Sequence, residues 1–279
     1  MNLKTLKNIP PWDWPEGTDT ALLGVLRDRK ATQSERLLAT ELAGDFTVID
    51  DELVGALLAI LRSGEEPEGV RGRAAISLGP VLEHADVEGF EDPDSVPIAQ
   101  RTFHEIQESL HKLYRDAAVP KEVRRRILEA AVRAPQDWHQ GAVRAAYATN
   151  DEAWRLTAVF CMRFIRGFEE QILEALKSTS PDIHYEAVLA AGNWEVAAAW
   201  PHVAALVTSE ETDKALLLAA IEAAGSIRPH EAAEIFGDLL DSDDEDIVEA
   251  VYEAMAMAEG FSDEDDEDLG DDEDNGPRY

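Results

Sequence analysis

The chain has 279 residues, with 58 Asp and Glu against 25 Lys and Arg, a formal net charge of −33, and 45% apolar residues. That is enough apolar chain for a sizeable core; 17 Gly and 13 Pro without a period exclude a collagen-like chain, and the single Cys161 excludes a disulfide framework or a Cys-rich zinc module. The acidic balance repels nucleic acid, and no eighteen-residue apolar run or apolar N-terminal leader occurs, so a cytoplasmic protein with no nucleic-acid and no membrane partner is expected.

Residues 1–30 contain the Pro- and Trp-rich stretch PPWDWPEG and are expected to form a lead-in that caps the open edge of the first helical hairpin. From there a ten-residue frame recurs: an apolar residue, often with Arg next to it, a small or apolar residue at the fifth place, and a small trio at the close. It appears weakly as ERLLATELAG from Glu35, then as VRGRAAISLG from Val70, VRRRILEAAV from Val123, WRLTAVFCMR from Trp154, IHYEAVLAAG from Ile183, LLLAAIEAAG from Leu216 and IVEAVYEAMA from Ile247. The last five copies are offset by 31, 29, 33 and 31 residues. Helix-start signals precede the frames, as at Asn150-Asp151, Ser180-Pro181-Asp182 and Thr212-Asp213.

A second amphipathic stretch comes after each of four frames, from Asp50, Phe168, Val196 and Pro229, with apolar residues at helical spacing such as Ile172, Leu173 and Leu176. Each unit is thus a helical hairpin that cannot bury its apolar face alone, and the hairpins are expected to stack into one all-α solenoid over residues 31–260. Ala187, Ala190 and Gly192, like Ala220, Ala223 and Gly225, would let neighbouring helix axes approach closely. Residues 80–120 interrupt the period, since the frames at Val70 and Val123 lie 53 apart. This segment is expected to be an irregular insert, an acidic loop and then a helix through Phe103, Ile106, Leu110, Leu113 and Tyr114. Residues 261–279 are expected to form a disordered acidic tail, because positions 263–274 hold ten carboxylates and one apolar residue.

The frame resembles the HEAT-repeat superfamily, in the short-unit form also seen in phycobilisome-lyase-type repeats. The carriers are Val70-Arg71, Val123-Arg124 and Trp154-Arg155 at its head, with Ala74, Ala158, Ala187 and Ala220 at its fifth place. The resemblance implies a right-handed superhelix, and a structural ladder in which Arg71, Arg124 and Arg155 meet acidic side chains of the adjacent unit. It implies little about activity, since the family includes adaptors, lyases, hydroxylases and glycosylases.

Charge is uneven along the chain. Residues 112–166 hold eleven basic and six acidic side chains, whereas residues 167–240 hold three and thirteen. Arg125, Arg126, Arg133, Arg144, Arg163 and Arg166 form a candidate belt for an acidic protein partner, because guanidinium groups grip carboxylates bidentately. A tail rich in carboxylates predicts competition for that belt within the chain.

Sites of chemistry are sparse. His104-Glu105 and His230-Glu231 are similar to the His-Glu pairs of HEAT-type di-iron hydroxylases, but one lies in the insert and the other opens a second helix, so no metal is expected. Cys161 falls three residues after Ala158, at a packing position. The run DSDDED at 241–246 lacks the Gly and terminal Glu of a calcium loop. Trp138, Trp154, Trp194 and Trp200 read as packing residues near helix ends. With no nucleophile elbow, P-loop or dinucleotide motif, neither catalytic residues nor cofactors are expected. The leading expectation is a non-enzymatic protein–protein interaction scaffold or adaptor. An acidic chaperone or decoy for basic proteins is the alternative, and a lyase or DNA glycosylase on the same scaffold a third.

Overall fold

The structure is a computed structural model that describes residues 2–92 and 95–265, those from 257 onward in backbone only. No strand occurs among the described residues, and no helix among them is long and apolar enough to cross a membrane. The chain divides into two compact units, Met1–Ile165 and Arg166–Tyr279, where the sequence predicts one continuous repeat region. The break falls in the turn between the frame from Trp154 and its second helix, where Gly167 takes φ 90°.

The first unit opens with α1 (Leu3–Leu6) and α2 (Thr18–Arg27), which bury Leu3, Leu6, Leu22 and Leu26. The Trp14 indole N–H donates to the carbonyls of Leu6 and Ile9, both at 3.1 Å, and holds the lead-in against α1. Helix α2 packs on both helices of the first hairpin, α3 (Gln33–Leu42) and α4 (Asp51–Arg62). Thr32 and Glu35 form a capping box at the start of α3, and the Asp50 carboxylate accepts the Leu53 amide at 2.8 Å at the start of α4.

Helix α5 (Glu68–Ser77) carries the frame from Val70, the irregular insert resolves into α6 (Gly79–Glu88) and α7 (Gln100–Arg115), and the chain continues through α8 (Lys121–Ala131), α9 (Asp137–Tyr147) and α10 (Glu152–Cys161). In this unit α4 packs on α5 and α9 on α10, so a second helix leans on the first helix of the next hairpin. Helix α7 packs on α8 in the same way. It is therefore the second helix of its hairpin, and α6 with the loop after it is the insertion that stretches the frame spacing.

The second unit contains α11 (Glu169–Ala175), α12 (Pro181–Asn193), α13 (Trp200–Val207), α14 (Lys214–Ile227), α15 (Pro229–Ile235) and α16 (Glu245–Asp265). Helix α14 packs between α12 and α16, while α11, α13 and α15 back onto α12, α14 and α16. Two second helices are shorter than their apolar patterns. Pro201 is confined to the first turn of an α-helix, so α13 begins only at Trp200 after a 3₁₀ turn over Ala197–Ala199. Gly237, a poor helix former, separates α15 from a 3₁₀ turn over Gly237–Asp241. Helix α16 runs to Asp265, past the expected start of the tail at 261, and residues 266–279 lie outside the described residues.

The fifth place of all seven frames is sealed: Ala39, Ala74, Ile127, Ala158, Ala187, Ala220 and Val251 are each 0% exposed. Helix axes in the second unit are close enough that a methyl group on Gly192 would lie 2.9 Å from the Ala223 Cα, and one on Gly225 2.9 Å from the Ala254 Cβ. Gly192→Val and Gly225→Val should therefore each cost about 1–3 kcal/mol in urea unfolding. Gly141→Ala, where a Cβ meets nothing within 4 Å, should be neutral or stabilising by up to about 1 kcal/mol through helix propensity. Equal losses at all three positions would contradict the close-packed seam.

Candidate functional site

The six arginines expected to form one belt differ in burial and in what they contact. Arg125 is 5% exposed. Its guanidinium donates to both Glu122 carboxylate oxygens, at 3.0 and 3.2 Å, to the Ala153 carbonyl, and to the Thr157 hydroxyl at 2.9 Å. Thr157 in turn donates to Glu129 at 2.6 Å, and Arg126 grips Glu129 at 2.7 Å and Glu122 at 3.2 Å. The Arg125 hydrogen bond, then its charge, holds the Glu122 carboxyl below its usual range. This network ties α8 to α10, and Arg125 is a strut where an accessible ligand for a partner was expected.

The other four differ in their contacts. Arg133 pairs with Glu83 on α6 and lies over the Phe164 and Phe160 rings, 5.1 and 5.6 Å from their centroids. Arg163 stands 5.8 Å from the same two rings. Arg144 is exposed on α9. Arg166 belongs to the second unit, 4.6 Å over the Trp194 ring. Cation–π contact and ion pairing engage much of the basic charge that sequence counting treats as available.

Of the arginines expected to form a structural ladder, Arg71 is 5% exposed and donates to the Leu61 carbonyl at 3.0 Å, and Arg155 lies over the Tyr147 ring. Ion pairs between successive repeats also form near the starts of first helices, thirty residues apart: Arg36 with Glu66, Lys121 with Asp151, and Lys214 with Asp244 at 2.8 Å. The signal was legible as a base near one helix start and an acid one period later. Asp151 serves twice, since it also caps α10 by accepting the Ala153 and Trp154 amides.

His104 and His230 lie on α7 and α15, in different units. No group of three or more His, Cys, Asp and Glu among the described residues is placed to hold a metal. Cys161 is buried and Trp138 stacks on His111 at 4.8 Å, both in packing positions. His139 is 0% exposed; its Nδ1 accepts the Gln136 amide at 2.8 Å, so the hydrogen sits on Nε2, which has no partner among the described residues. Burial, with a smaller contribution from His111, lowers its pKa to about 4.

An opening of about 630 Å³ in the second unit lies across α12, α14 and α16. Tyr185, Leu189 and Leu218 form a half-buried floor, and Glu222, Asp246, Glu249 and Glu253 stand exposed around it. Asp246 is neutralised by Lys214 at 2.5 Å. Glu222, Glu249 and Glu253 are in no ion pair among the described residues, and no Lys or Arg lines the groove. Sequence counting found the excess of acid in this region but not its confluence on one apolar floor, because that depends on three helices lying side by side.

Two variants separate structural from surface arginines in the first unit. Arg125→Met should cost about 3 kcal/mol, because it strands Glu122 and the Thr157–Glu129 pair, while Arg101→Glu, exposed in the first turn of α7, should change stability by less than about 0.5 kcal/mol. Urea titration distinguishes a strut from a docking residue. For His139, the folded pKa of about 4 lies below the unfolded 6.5, so stability present above pH 6.5 is lost as pH falls toward 4. Relative to His139→Gln, the unsubstituted protein should lose roughly 3 kcal/mol over that window, and parallel pH profiles would contradict it.

Residues 169–256, from α11 into α16, match the family model for HEAT repeats. No curated protein matches the chain. Among solved structures, human deoxyhypusine hydroxylase in complex with glycerol is similar at 18% identity over 92% of this chain and 88% of that one, with a TM-score of 0.41. A designed armadillo repeat protein is similar at 14% identity over 85% and 98%, with a TM-score of 0.34. Residues 169–256 are thus HEAT repeats, and the first unit is built of helical hairpins on the same ten-residue frame.

Proposed function

We propose that this protein is a non-enzymatic interaction scaffold whose second unit docks a basic segment of a partner protein in the groove across α12, α14 and α16. The observation that carries the reading is the set of unpaired carboxylates, Glu222, Glu249 and Glu253, around the apolar floor of Leu189 and Leu218. Apolar surface supplies affinity to a docked segment, and an acidic rim selects the sign of its flanking charges. An amphipathic helix with small apolar residues on one face and Lys or Arg beside them matches both features.

This choice favours a basic partner over the acidic one expected from the Arg count. Arg125, Arg126 and Arg133 already serve carboxylates of their own chain. The same acidic field argues against a nucleic-acid partner, and the single buried thiol of Cys161 fits a reducing, cytoplasmic setting.

Reversing Glu222, Glu249 and Glu253 to Lys should leave the fold intact, because all three are exposed. It should weaken binding of a fluorescent amphipathic Lys/Leu helix about tenfold or more at low salt, and less at high salt. Reversal of Glu210, Glu211 and Glu234, exposed in the same unit but outside the groove, supplies the charge-matched control. Equal losses in the two triple variants would reduce the effect to net charge and overturn the groove as the site.

A further inference from the structure

The second unit brings two histidines together that nothing in the sequence pairs. His184 is on α12 and His202 on α13, eighteen residues apart, and their Nε2 atoms approach to 2.7 Å. The rings meet nearly edge to face, with centroids 4.9 Å apart and planes at 70°. Both side chains are half-buried, so water reaches the pair. Two neutral imidazoles at this distance share a single hydrogen: one Nε2 donates and the other presents its lone pair. Burial lowers the pKa of both rings, which keeps them neutral and available as ligands.

We infer that His184 and His202 form a two-histidine chelate for a borderline divalent transition-metal ion such as Zn2+ or Cu2+, with water completing the coordination. Imidazole nitrogen is a preferred ligand for these ions. Two metal–nitrogen bonds of about 2.0–2.1 Å at a tetrahedral angle need nitrogens roughly 3.3 Å apart, so the rings must open by about half an ångström. On binding, the donor ring moves its hydrogen from Nε2 to Nδ1, and both Nε2 lone pairs face the ion. Asp213, the cap of α14, favours positive charge at His184, while Lys177 opposes it at His202. The wider field settles the sign: residues 166–279 hold thirty-one acidic side chains against five basic ones.

His184 occupies the second place of its frame, where Arg71, Arg124 and Arg155 stand in other copies. This repeat replaces a permanently charged residue with a metal-ligating one and sets a second imidazole against it. The pair stands apart from the acidic groove, whose lining includes neither histidine.

The test is calorimetric titration of ZnCl2 into the full chain in a large excess of Mg2+, which occupies the carboxylates. One equivalent should bind, and His184→Ala and His202→Ala should each weaken it about tenfold or more, since losing even an outer-shell partner of a ligand costs that much. Cu2+ bound to the unsubstituted protein should show electron-spin coupling to two imidazole nitrogens, and Zn2+ should raise its melting temperature but not that of either variant. His184→Gln and His202→Gln carry the same test if the alanine variants fail to fold. Retention of the one-equivalent site in the variants, or no such site above the carboxylate background in the unsubstituted protein, overturns the inference.

Discussion

The close approach of successive first helices is the constraint on which the rest of the second unit depends. Gly192 sits against Ala223 and Gly225 against Ala254, so α12, α14 and α16 pack with almost no side chain between their axes. Small residues on that seam place Ala187, Ala220 and Val251 in the interior. What remains on each helix is a single outward face, where residues three and four apart are neighbours. Leu218 and Glu222 share that face on α14, as Asp246, Glu249 and Glu253 do on α16. The groove is therefore a by-product of the seam.

Charge is used in three distinct ways. Near the starts of first helices it links one repeat to the next, through Arg36–Glu66, Lys121–Asp151 and Lys214–Asp244, mostly at exposed sites where each pair is worth little alone. Between α8 and α10 it is buried, and Arg125, Glu129 and Thr157 form a connected hydrogen-bond network. Around the groove it is left open. A chain with net charge −33 is driven apart by its own field, so carboxylates without partners are a standing cost that a basic ligand relieves.

The repeats carry individuality where they depart from their shared frame. Four copies place Arg at the second position, one places His184 and another Leu217, and the consequences differ: an ion pair at Arg36, a carbonyl contact at Arg71, an aromatic one at Arg155, an imidazole pair at His184, core packing at Leu217. A repeat scaffold tolerates such substitutions because each hairpin contacts only its neighbours, so local chemistry changes without disturbing distant units.

By itself the sequence determined the helical hairpins, their period, the buried fifth places and the polar caps at Asp151 and Asp213, because these depend on neighbours within one or two turns. It also located the interruption after Val70, though only packing distinguishes α7 as the second helix from α6 as the insertion. Which charges are buried was decided by tertiary structure alone. Arg125 and Arg144 look alike in a composition count, but one is enclosed by Glu122 on its own helix and Thr157 on another, and the other faces solvent. His184 and His202 are unremarked in a linear scan for the same reason. Their separation of eighteen positions matches no ligand spacing, and only the fold of α13 back onto its hairpin closes the distance between Nε2 atoms to 2.7 Å.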